Sequence, residues 1–147
     1  MKIVINKCYG GFGLSPFGVK EYLKRKGKEA YFYKQTKYSF QKSGKNGKNE
    51  YVKVNNPNEK IFTIYCYTKD YGQTITDKTK IDEGSYFYYG YIERTDPDLV
   101  AIVEKYGDKV SGYLSNLKVV EIPDGVKWEI DDYDGVESIE EIHNSWG

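Results

Sequence analysis

Residues 1–27 read MKIVINKCYGGFGLSPFGVKEYLKRKG. Two periodicities meet in this stretch. Ile3 and Ile5 alternate with their neighbours, with Val4 between them, which predicts a strand over 2–7. Ser15-Pro16 predicts a helix start, because serine caps the first orphan amides and proline fits the first turn. Phe17, Val19, Tyr22 and Leu23 give that helix its apolar stripe, and Gly27 ends it. Between strand and helix lie Tyr9, Gly10, Gly11, Phe12 and Gly13. Such a loop can hold a phosphate at a helix N-terminus or serve as a tight turn alone. It is not a full dinucleotide fingerprint: Gly11 and Gly13 fit, but Pro16 holds the third position. The P-loop lysine is also absent.

The rest of the chain continues both patterns. Strands are predicted over 30–34, 61–68 and 85–92. A hairpin is predicted between 38–41 and 51–54 around the Asn-Gly step of 43–49. A second turn is read at 55–58. Thr95 or Asp96 caps a helix whose Leu99, Val100, Ile102, Val103 and Tyr106 recur at 3.6 residues, and Gly107 closes it. A hairpin is predicted from 117–122 through Pro123-Asp124-Gly125 to 126–131. A short helix is predicted over 138–143. Many strands with few helices give an α+β fold: mainly antiparallel sheet, two main helices and a Lys/Tyr-rich hairpin insertion. The expected organisation is a single domain, 1–147, with 28–84 inserted.

Composition narrows the function classes. The chain has 147 residues, 22 basic and 22 acidic, so its formal net charge is zero. That balance disfavours a long nucleic-acid partner, whose backbone needs several cationic contacts. Lysine is concentrated at 20–60 and acid at 121–141. No apolar run is of membrane-span length and no secretory signal is read. A cytoplasmic setting follows as the expectation, with Cys8 and Cys66 unpaired. One histidine and two distant cysteines make a poor zinc set, and the DDYDG run lacks the spacing of a calcium loop, so no metal and no cofactor are expected.

Three segments carry a resemblance. MKIVINKCYGGFGLS at 1–15, RTDPDLVAIVEKYG at 94–107 and LKVVEIPDGVKWEIDDYDGVESIEEIHNSW at 117–146 resemble a family of short uncharacterised phage and prophage proteins. The resemblance covers roughly half the chain and says little of 28–84. It implies a counter-defence protein in the bacterial host cytoplasm. By analogy it implies a sponge, which sequesters a nucleotide-derived immune signal without cleaving it.

The expected ligand is a nucleotide-like small molecule, a cyclic nucleotide or an ADP-ribose derivative. Its site is read as Tyr9, Gly10, Gly11, Phe12, Gly13, Arg94, Tyr89 and Tyr91. Backbone amides and Arg94 meet phosphates, and an aromatic ring stacks on the base. A homo-oligomer is expected with it. Each element has a second reading: the glycines make a turn, Arg94 pairs with Asp96, Asp98 or the acidic tail, and the tyrosines pack the sheet. Two other functions stay open. One is an inhibitor that binds a host defence protein directly. The other is a small hydrolase using His143 with Cys8 or an acidic residue. No catalytic constellation is evident, so the chain is read as no enzyme.

Overall fold

The computed structural model of the chain describes residues 1–37, 50–57 and 64–142. It has the α+β class, two α-helices and mostly antiparallel strands. The chain divides into two compact units, 1–26 with 89–147, and 27–88. The segment read as an insertion falls within the second.

The first unit is built on β1 (Lys2–Asn6) and β7 (Leu117–Glu121), paired antiparallel with Val4 opposite Val119. Helix α1 (Pro16–Arg25) starts at Ser15, whose hydroxyl accepts from the Gly18 amide. Helix α2 (Pro97–Tyr106) starts at Asp96, whose carboxylate accepts from the Asp98 amide. Helix α2 lies against β1 and β7. Ile3, Ile5, Leu99, Ile102, Val110 and Leu117 are fully buried and form the core.

The two helices are joined end to end in charge. The basic last turn of α1 meets the acidic first turn of α2, which suits both helix dipoles. Arg25 Nε donates to Asp98 Oδ1 at 3.0 Å, Lys26 Nζ lies 2.8 Å from Asp98 Oδ2, and Tyr22 Oη donates to Asp96 Oδ2 at 2.7 Å. Lys26 and then Arg25 hold the Asp98 carboxyl below the usual range. Burial, then the Asp96 carboxylate, pushes the Tyr22 hydroxyl up to about 12.

The last element of this unit differs from expectation. Residues 126–131 do not return on 117–122. Instead β8 (Trp128–Tyr133) pairs with β9 (Val136–Glu141) through Asp134-Gly135. Both turn residues have positive φ, 53° and 87°, the geometry of the two-residue hairpin turn that Asp-Gly favours. The helix read over 138–143 is therefore a strand through Glu141, and residues from 143 on lie outside the described residues.

The second unit is a five-stranded sheet in the order β5-β3-β2-β4-β6: Thr74–Ile75, Glu50–Val54, Tyr31–Lys37, Ile64–Tyr67 and Tyr86–Phe87. The first strand of the predicted hairpin, 38–41, and its turn, 43–49, lie outside the described residues; the second, 51–54, falls in β3, which pairs antiparallel with β2. Register puts Tyr31, Tyr33, Tyr51, Tyr65, Tyr67 and Tyr86 on one face. There Tyr33, Tyr51, Tyr67 and Ile75 form a buried cluster, with rings meeting edge to face at 5.3–5.7 Å. Tyr33 Oη donates to the Gly72 carbonyl and accepts from the Tyr71 amide, so a phenol can sit fully buried. The strand read over 85–92 is shorter than expected. Beyond Phe87 the chain turns through Tyr89–Tyr91 as it leaves this unit for the first.

No helix among the described residues is long and apolar enough to cross a membrane.

Candidate functional site

Three loops of the first unit interlock at the end of β1, and one buried side chain ties them. Asn6 is fully buried. Its Nδ2 donates to the Cys8 carbonyl at 2.6 Å and to the Gly135 carbonyl at 2.8 Å. Its Oδ1 accepts from the Cys8 amide at 3.2 Å and from the Asn116 amide at 2.8 Å. The loops are thus 7–13, 111–116 and the 133–136 turn.

The backbones then close on one another. The Gly10 amide donates to the Leu114 carbonyl at 3.0 Å, and a Cβ on Gly10 would stand 2.2 Å from that oxygen. A Cβ on Gly135 would stand 2.3 Å from the Tyr9 carbonyl oxygen. The Gly13 carbonyl accepts from the Gly112 amide and the Ser115 hydroxyl. Gly11 sits at φ 85°, the turn conformation. Gly10 and Gly11 are therefore needed by the loop packing and turn themselves.

Arg94 is bidentate, to a carboxylate of the chain's own tail. Its Nη1 and Nη2 donate to the two Glu137 oxygens at 2.6 and 2.8 Å, and Nη1 also reaches the Val4 carbonyl at 3.2 Å. Glu137, 4% exposed, accepts the Asn6 amide as well. The guanidinium lies over the Phe12 ring, 3.8 Å from its centroid, and Tyr89 meets Phe12 edge to face at 6.0 Å. So the structure brings together Gly10, Gly13, Phe12, Tyr89 and Arg94, as an internal contact set. At the start of α1 the Ser15 hydroxyl already takes the Gly18 amide and donates to the Lys109 carbonyl.

What faces outward here is aromatic and aliphatic. Tyr9 is 68% exposed, Tyr133 is 80% exposed and Tyr91 is 72% exposed. Tyr113 and Leu114 are also exposed. Leu114 has φ 59°, a conformation that costs a non-glycine residue about 1 kcal/mol or more. An exposed leucine held in a strained turn beside exposed tyrosines is the unusual feature of this end of the molecule.

Other sequence candidates fall elsewhere. Cys8 is half-buried on the first loop; Cys66 is buried in the second unit, where desolvation pushes its thiol up to about 12 and leaves it unreactive. His143 and Trp146 lie outside the described residues. Among the described residues no group of three or more His, Cys, Asp or Glu is gathered to hold a metal ion.

Sequence reading missed Asn6, Leu114 and the hairpin tip. The Asp-Gly step within Tyr133–Val136 was the available signal for the tip. Leu114 carried none, since its conformation follows from the close approach of Gly10. No family model, curated protein or solved structure significantly matches this chain.

Proposed function

We propose that the chain is a binding protein without catalytic activity, of the phage counter-defence kind that its sequence resembles, and that it acts by docking on a host protein through the loop end of its first unit. The observation that carries this reading is Leu114, exposed at positive φ among the exposed Tyr9, Tyr113 and Tyr133. Backbone strain persists where surrounding contacts over-determine it, and it clusters at ligand contacts. Tyrosines on backbone-locked loops offer large, stiff contact area at low entropic cost. Protein interfaces are enriched in such rings.

A sequestered nucleotide is the competing occupant. It would need the groups read as phosphate ligands, and Arg94 and the Gly10 and Gly11 amides are engaged. Arg94 would have to leave a buried carboxylate, and the α1 N-terminus would have to give up its cap. Phosphate oxygens would also meet Glu137 and the acidic hairpin. These contacts weigh toward the protein partner.

Two parallel experiments decide it. A photo-reactive phenylalanine analogue replaces Tyr133 in one variant and exposed Lys20 in another, each in the full chain. After irradiation in bacterial lysate, a discrete protein adduct is expected at 133 and none at 20. The unmodified protein is also mixed with a panel of cyclic nucleotides and ADP-ribose isomers and filtered. Depletion of one compound, recovered intact on heating, would overturn the docking reading in favour of sequestration; a changed mass would overturn it in favour of catalysis.

A further inference from the structure

The loop end is flanked by uncompensated negative charge. Residues 126–142 carry one cation, Lys127, and the exposed carboxylates Glu129, Asp131, Asp132, Asp134, Glu140 and Glu141. Among the described residues none of these six is in an ion pair. Several acids elsewhere are in ion pairs: Asp70 with Lys53, Asp82 with Lys69, Asp98 with Arg25 and Lys26, Glu104 with Lys2, and Asp124 with the N-terminal amine. The net charge of the whole chain is zero. Asp131, Asp132 and Asp134 put part of that charge beside the tip that also carries Tyr133, and Gly135 of that tip is locked under Tyr9.

We propose that this surface takes one kind of partner: a protein surface that sets lysine or arginine around an apolar side chain. The inference rests on the docking reading above and names the chemistry of its partner. The apolar centre is Leu114 with Tyr9, Tyr113 and Tyr133. The rim is the carboxylate row of β8 and the turn. An interface with an apolar centre and a charged rim binds through the centre and selects and steers through the rim. Tyrosine faces also suit guanidinium and ammonium groups directly. A polyanion is repelled by the same rim.

The test uses the full-length chain as bait for a displayed library of random structured peptides, with no assumption about the natural partner. Binders are compared on the parent, on Leu114→Gly with Tyr133→Ala, and on Asp131→Asn with Asp134→Asn. Asparagine tolerates the left-handed turn conformation at 134, so the last variant keeps the hairpin. The expected result is enrichment of Lys/Arg flanking an apolar residue. Those binders weaken about tenfold on either variant, and weaken again when salt is raised past the range where exposed charges are screened. Binders lost on Leu114→Gly/Tyr133→Ala but carrying no basic bias would overturn the partner chemistry and leave docking standing. Basic binders indifferent to Leu114 and Tyr133 would also overturn it, as mere charge adhesion. A library yielding no binder sensitive to Leu114 and Tyr133 would remove the docking reading itself.

Discussion

Asn6 is a single amide that answers to three loops, and its chemistry is not replaceable by shape. Asn6→Asp keeps the outline but removes both Nδ2 donors, and with them the partners of the Cys8 and Gly135 carbonyls. It also buries a second carboxylate beside Glu137, whose oxygen accepts the Asn6 amide. Each orphaned buried carbonyl costs about 1–3 kcal/mol. Denaturant unfolding of Asn6→Asp is expected to lose at least that much, with Asn6→Ser intermediate. Stability equal to the parent would mean that the three loops are held by other contacts. At this scale the sequence was only partly legible. Asn6 reads as the polar end of a strand, and nothing local reveals that its partners are 110 and 129 residues away. Arg94 was more legible, since rarity marked it and the acidic tail was among its expected partners.

At the scale of elements, the hairpin of β8 and β9 is fastened to β1 by the Arg94–Glu137 pair. Removing one member of a buried ion pair leaves the other charge uncompensated, which costs about 3–5 kcal/mol. Glu137→Ala is therefore expected to speed amide exchange across β8 and β9 while α1 and α2 stay protected. Uniformly raised exchange, or none, would refute a localised fastening. Elements with local signals were legible: β1, α1 and α2 announce themselves by period and caps. The error at 126–131 has a physical origin. A turn at Pro123-Asp124-Gly125 made the nearest strand look like the partner, but β7 pairs instead with β1, where Val119 lies opposite Val4, 115 residues earlier in sequence. The Asp134-Gly135 turn then offers β8 a partner two residues away.

At the scale of the whole molecule, charge pairing sets a pH window. Lys53 and the Gly72 amide hold Asp70 below the usual carboxylate range, Lys69 does so for Asp82, and the N-terminal amine for Asp124. With Asp98 these acids bind protons later when folded than when unfolded. Their contribution is present above the ordinary carboxylate range and is lost as pH falls through and below about 4. Lys2, Lys26, Lys53 and Lys69 are shifted upward by their acidic partners, so their contribution is present below the ordinary lysine range and lost as pH rises through about 10.5 and above. A plateau of Tm between about pH 5 and pH 9 is expected, falling at both ends. Asp98→Asn should lower Tm at pH 7, and the gap to the parent should narrow steadily as pH falls below about 4. A gap that stays constant from pH 7 down through the acid limb would assign the loss to something other than the ion pairs.

The outer edge of β1 has one more consequence. Its Val4 amide is taken by the Arg94 carbonyl, its Val4 carbonyl by the Arg94 guanidinium, and its Asn6 amide by Glu137. An apolar strand of this kind, left open, is a template onto which another chain can zip, and the end of that road is fibre. Here the position that strand addition would use is filled by one arginine and one glutamate, so the same pair that fastens the hairpin also keeps neighbouring copies from growing a shared sheet.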